Sequence, residues 1–327
     1  MDPRPARACG PLKAWSGFGR PLAATLASLL LAACDAPSPE ARQDPADDRP
    51  VVLTTFTVLA DMARQVAGDR LQVDSITKLG SEIHGYEPTP SDVERASRAD
   101  LILENGLNLE LWSRRFTAAA GNVPVATLTE GIAPLPIAED AYAGKPNPHA
   151  WMSPRKAKRY IDNIVSAFSR LDPEGAASFQ ANGEAYKQQL AQLDQELRAS
   201  LATIPESRRV LATCEGAFTY LAHDYGLTEA YLWPVNAESQ VTPKRMARLI
   251  DTVRDRQVPA VFCESTVSDA SQREVARAAG ATFGGTFYVD SLSTPDGPAP
   301  TLLAMQRHNV GLIQRGLGTP QSNGVTP

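Results

Sequence analysis

Four residues in this 327-residue chain have the type and setting to hold a divalent cation. His84 lies in the polar run Ser81-Glu82-Ile83-His84-Gly85-Tyr86-Glu87-Pro88-Thr89-Pro90, after an apolar segment, and His149 lies in Asn147-Pro148-His149-Ala150-Trp151, just ahead of a helical pattern. Prolines close by restrict both backbones and so help to place each imidazole. Glu215 follows the apolar run ending at Thr213, and Asp290 follows the one ending at Val289. In open α/β sheets ligands bind in the crevice outside the carboxyl ends of the strands, so these loop positions are expected to face one cleft. Two neutral imidazoles and two carboxylates balance a dication and offer nitrogen and oxygen donors without thiolate. Each carboxylate can bind through one or two oxygens, which suits Mn(II) or Fe(II). On residue types alone a metalloenzyme stays open, because iron oxygenases and metallohydrolases also use histidine and carboxylate. Catalysis would need an open coordination position with a base beside it, and four closing protein ligands leave little room for that.

The elements that must position these residues are read from periodicity. Apolar β-branched runs at residues 51–56, 71–77, 101–104 and 123–128 alternate with helical patterns at 58–67, 91–99 and 109–120, which is the alternation of a mostly parallel sheet with helices on both faces. Ser153-Pro154 opens a helix running to about residue 171, and Asp172-Pro173 breaks it. Residues 174–203 form a further long helical stretch with Leu190, Leu193, Leu197 and Leu201 on one face. The alternation then resumes, with strands expected at 209–213, 230–233, 260–263 and 286–289 and helices at 217–225, from 243, and at 271–279. The expected architecture is therefore α/β, with a first lobe at 50–172, a connecting helix at 173–203, a second lobe at 204–317, and a disordered tail at 318–327.

The 37 acidic residues outnumber 32 basic ones, and no basic run occurs in the body of the chain, which argues against nucleic acid as a partner. Residues 1–33 read as an export signal: Arg4, Arg7, Lys13 and Arg20 precede an apolar stretch from Pro21 to Ala33 that is too short to span a bilayer. The closing Leu31-Ala32-Ala33-Cys34 resembles a bacterial lipobox, which implies cleavage before Cys34 and its acylation. The following Asp35 resembles an inner-membrane retention signal, and residues 34–49 read as the acylated cysteine and a flexible tether. With Cys9 removed and Cys34 lipidated, Cys214 and Cys263 remain in an oxidising compartment, at the ends of plausibly adjacent strands. A disulfide between them is expected, against the alternative of two buried thiols.

The segments HGYEPTPSD, NPHAW, TCEGAFTYLAHDYGL, YLWPVNAES, FCEST and YVDSLS resemble those of the cluster 9 substrate-binding proteins, the metal-binding lipoproteins of ABC importers, in particular the manganese/iron branch. The match runs in order over roughly residues 51 to 317. It implies two α/β lobes joined by one long rigid helix, with the metal between them and with His84, His149, Glu215 and Asp290 as its ligands. It also implies a monomeric, lipid-anchored receptor on the periplasmic side of the inner membrane, delivering its ion without chemistry to a membrane permease and its ATPase. The chain departs from the family pattern at Cys214, where serine is usual, and at Gly85, where glutamate is usual. Zinc-specific relatives carry a third histidine at the position of Glu215 and often a histidine-rich loop. Here residues 134–146 contain no histidine, and Glu139 and Asp140 are their only acids. The resemblance thus favours Mn(II), with Fe(II) or Zn(II) as alternatives. A surface adhesin using the metal for structure is a further alternative. Tyr86 and Glu264 are expected to stand behind the ligands.

Overall fold

A computed structural model describes residues 47–121, 123–138, 142–235 and 241–318. The export signal, Cys34, the tether up to residue 46, Glu139, Asp140 and the tail from residue 319 lie outside the described residues. No helix among the described residues is long and apolar enough to cross a membrane.

The first lobe is a four-stranded parallel sheet of β1 (Val51–Thr54), β2 (Gln72–Ser75), β3 (Leu101–Glu104) and β4 (Val125–Thr127), in the order β2-β1-β3-β4. Alternation along β1 sends Val52 to one apolar cluster and Leu53 to the other, so the sheet is covered on both faces. One cover is α1 (Thr57–Ala67) with α4 (Pro154–Leu171). The other is α2 (Pro90–Ser97) with α3 (Ser113–Ala120). Thr89 begins α2 with a full capping box to Asp92, and Ser153 caps α4 ahead of its first-turn proline.

The second lobe repeats the plan. β5 (Val210–Glu215), β6 (Thr228–Trp233), β7 (Ala260–Glu264) and β8 (Thr282–Phe287) form a parallel sheet in the order β6-β5-β7-β8. Helices α6 (Thr219–Tyr225), α7 (Pro243–Asp255) and α8 (Ala270–Ala279) connect its strands. Joining the lobes in sequence is the 27-residue α5 (Ala176–Ala202), whose Leu190, Leu193, Leu197 and Leu201 are all buried. It packs on α1 and α4 of the first lobe and on α6 and α9 (Leu302–Leu317) of the second.

Two elements differ from the sequence expectation. The last strand lies at Thr282–Phe287, earlier than the expected 286–289. Gly284 and Gly285 disguise it, since glycine weakens a strand pattern. Each has a physical reason: a Cβ on Gly284 would sit 2.4 Å from the buried Phe262 ring, and Gly285, against Leu312 of α9, has a φ of 131° that favours glycine. Helix α9 itself is not expected from the sequence. Thr301 caps it by accepting from the Ala304 N–H.

Candidate metal centre

The loops at the carboxyl ends of the strands bring His84, His149, Glu215 and Asp290 together between the two sheets, and all four are buried. Glu215 is the last residue of β5, inside the strand rather than beyond it, and Asp290 stands three residues past β8. His84 Nε2 lies 3.1 Å from Glu215 Oε1, 3.2 Å from His149 Nε2 and 3.9 Å from Asp290 Oδ2. His149 Nε2 lies 3.6 Å from Glu215 Oε1 and 3.8 Å from Asp290 Oδ1. Donors about 2.1 Å from a tetrahedrally coordinated ion are separated by about 3.4 Å; His84, His149 and Asp290 offer ligand atoms that all lie within 4.8 Å of one another, and Glu215 approaches both imidazoles. Asp290 Oδ1 is buried without a hydrogen-bond partner, as is His84 Nδ1. An orphaned buried carboxylate oxygen facing two imidazoles suits a cation.

The local chain explains how the two histidine segments are held. Glu82 accepts the His84 N–H through Oε1 at 2.6 Å and the Gly85 N–H through Oε2 at 2.7 Å, folding the loop under His84. An acid two residues before the histidine thus supports the loop whose next residue is the unusual Gly85. Asn147 Oδ1 accepts the backbone N–H of His149 at 3.0 Å and lies 2.9 Å from His149 Nδ1. An oxygen can only accept, so the proton of neutral His149 sits on Nδ1 and Nε2 offers its lone pair to the centre. Gly216 must be glycine, because a Cβ there would lie 2.7 Å from the Pro234 carbonyl and 2.9 Å from the Tyr231 ring. Trp151 is fully buried; its indole N–H donates to the Val289 carbonyl across the lobes at 3.1 Å, just ahead of Asp290.

Glu264, at the end of β7, lies behind Glu215. Its Oε2 accepts the Glu215 backbone N–H at 3.2 Å, while Oε1 has no hydrogen-bond partner. Tyr86 does not reach a ligand by hydrogen bond; its hydroxyl donates to Asp92 Oδ2 at 2.9 Å, and its ring packs on Trp112. With His84 it lines a hollow of about 650 Å³ that opens beside the cluster. A disulfide joins Cys214 on β5 to Cys263 on β7, pinning neighbouring strands one residue before Glu215 and one before Glu264. His223 and His308 stand on α6 and α9, outside the cluster. Glu82 and Asn147 were not singled out by sequence reasoning. The signal for both was an acid or amide two residues before a histidine, where a short side chain can fold back onto the following backbone N–H.

Charges in the centre are strongly coupled. Burial favours neutral His84, but Glu215, then Asp290 and Glu82, outweigh it and raise the imidazole to about 9. Burial depresses His149 to about 3, with Glu215 opposing and His84 adding to the depression. Burial lifts Asp290 to about 8, with His84 opposing and the Glu215 and Glu82 charges adding to the rise. Glu264 is also pushed well above the carboxylate range, by burial and then by Glu215. The metal-free centre therefore retains protons at neutral pH on His84 and Asp290, which a cation must displace.

The chain matches the family model described as zinc-uptake complex component A, periplasmic, over residues 52–316. The iron-binding protein YfeA of Yersinia pestis is 49% identical over 267 residues, covering 82% of this chain and 86% of that protein. The manganese-binding lipoprotein MntA of Halalkalibacterium halodurans is 34% identical over 266 residues, covering 81% and 88%. Among solved structures, the Mn-bound periplasmic metal-binding protein of Candidatus Liberibacter asiaticus superimposes with a TM-score of 0.75 at 36% identity, covering 82% of this chain and all of that one. With this extent of match, the chain belongs to the zinc-uptake component A family, whose members are extracytoplasmic metal-binding receptors of ABC importers and not enzymes.

Proposed function

We propose that this receptor captures one Mn(II) or Fe(II) ion with His84, His149, Glu215 and Asp290 and releases it unchanged to its permease, with Mn(II) the favoured cargo. The observation that carries the reading is the buried convergence of two imidazole nitrogens and two carboxylates, with no thiolate donor and no third histidine. Carboxylate oxygens can expand coordination beyond four, which suits the harder ions of this series. The names of the relatives YfeA and MntA point to the same two metals. A nitrogen and oxygen site nonetheless binds Zn(II) at least as tightly as Mn(II), so selectivity rests on geometry and supply.

The same reading places the mature chain as a monomer on the periplasmic side of the inner membrane, held by acylated Cys34 and a short tether. Support for the anchor comes from the Leu31-Ala32-Ala33-Cys34 sequence and from the lipoprotein name of MntA. The test is metal analysis by mass spectrometry of protein isolated from its native membrane, with calorimetric competition between Mn(II), Fe(II) and Zn(II). Stoichiometric Mn(II) or Fe(II) is expected in protein from metal-replete cells; zinc alone under manganese and iron sufficiency would overturn the assignment of cargo.

A further inference from the structure

Asn147 uses every hydrogen-bonding atom of its side chain, and it uses them on both lobes. Its Oδ1 takes two donors from His149, in the same segment ahead of α4. Its Nδ2 donates to the Gly216 carbonyl at 2.7 Å and to Thr219 Oγ1 at 3.0 Å, both in the second lobe. Gly216 is the residue after Glu215, and the Thr219 hydroxyl in turn donates to Glu229 Oε2 at 2.7 Å. The backbone carbonyl of Asn147 accepts from Tyr220 Oη at 2.7 Å as well. The residue is 1% exposed, so water has little access to replace these bonds. The amide cannot flip, because its nitrogen would then face the His149 N–H and its oxygen the Gly216 carbonyl.

We propose that Asn147 is a positioning residue that couples lobe contact to metal retention, an inference that rests on the four-ligand reading above. While the second lobe holds Nδ2, the amide oxygen is held against His149 Nδ1–H and the Nε2 lone pair is aimed at the ion. When the lobes part, Gly216 and Thr219 withdraw, and the amide is free to turn. His149 then loses both its fixed tautomer and its fixed ring orientation, so the ion loses a ligand on the first lobe while Glu215 moves away with the second. Outer partners of a metal-bound histidine characteristically govern affinity by about 10–100-fold.

Three variants of the full mature chain separate the two halves of the amide. Asn147→Ala removes both, Asn147→Asp keeps an acceptor for His149 but not the donor to Gly216, and Thr219→Val removes the hydroxyl that accepts from Nδ2 together with its own bond to Glu229, leaving Asn147 and His149 intact. Stopped-flow chelation gives the rate of Mn(II) release, and 15N spectra of histidine-labelled metal-free protein report the His149 tautomer. Asn147→Ala is expected to weaken Mn(II) binding by about 10–100-fold and to lose the single Nδ1–H signature. Asn147→Asp should keep that signature yet release Mn(II) at least about tenfold faster, and Thr219→Val should release it about 3–10-fold faster. Wild-type release from both Asn147→Asp and Thr219→Val would overturn the coupling, and the Thr219→Val arm decides the matter if the Asn147 variants fold poorly. Failure of the ligand reading itself is distinguishable, since it would appear as wild-type Mn(II) affinity in His149→Ala.

Discussion

Metal capture by this centre should release protons, and the amount follows from the coupled charges. His84 is held at about 9, two pH units above neutrality, so its proton opposes binding at pH 7 by about 3 kcal/mol, roughly a hundredfold in affinity. Asp290, at about 8, lies 3.9 Å from the same nitrogen, so the two groups titrate as a pair. His149, depressed to about 3, is already neutral and contributes no proton. Calorimetry of Mn(II) binding at pH 7 in buffers of different ionisation enthalpy should therefore give release of about one to two protons per ion. The logarithm of the apparent affinity should rise by about one to two for each pH unit between roughly pH 6 and 8 and level off above about pH 9. Binding with no proton release, and an affinity flat across that range, would refute the electrostatic description of the centre.

The same groups set the stability of the metal-free protein. His84 and Asp290 both have folded-state values above their ordinary ones, 6.5 and 3.8, so the stability they contribute is present at low pH and lost as pH rises through about 8 to 9. His149 acts in the opposite sense, but only below about 6.5. The metal-free melting temperature should consequently fall between pH 6.5 and 9 while that of the Mn(II)-loaded protein does not; parallel curves in scanning calorimetry would contradict this. The Cys214–Cys263 disulfide closes a separation of 49 residues, and the Cys214→Ser/Cys263→Ser double variant should lose about 2–4 kcal/mol of stability, read from urea midpoints against wild type. Glu215→His would supply a third imidazole and one carboxylate fewer. It should lower Mn(II) affinity at least about tenfold while sparing Zn(II), and equal losses for both metals in competition calorimetry would count against a metal-discriminating role for that position.

Much of this arrangement was legible in the sequence because its signals are local. Strand-ending runs before Glu215 and Asp290, and prolines around His84 and His149, placed four potential donors at the carboxyl ends of strands, where parallel sheets open. The long amphipathic stretch containing Leu190 and Leu201 likewise announced α5. What stayed hidden depends on contacts distant in sequence. Gly284 and Gly285 look like a strand breaker until Phe262 and Leu312 are seen lying against them. Helix α9, whose sequence carries Gly311 and Gly316, packs Gly316 where a Cβ would meet the Phe262 ring at 2.7 Å, so that glycine serves close approach rather than helix propensity. Tyr86 was expected behind the ligands, but Asp92 captures its hydroxyl from the capping box of α2. Asn147 reads as a turn residue before proline, and only the fold reveals that its amide reaches Gly216 in the other lobe.

Whether these four side chains together hold one transported ion is decided by a crystal of the Mn(II)-loaded protein measured at the manganese absorption edge. A single strong anomalous peak is expected about 2.0–2.3 Å from His84 Nε2, His149 Nε2, a Glu215 oxygen and an Asp290 oxygen. A peak elsewhere, or one that leaves any of the four side chains uncoordinated, would contradict it.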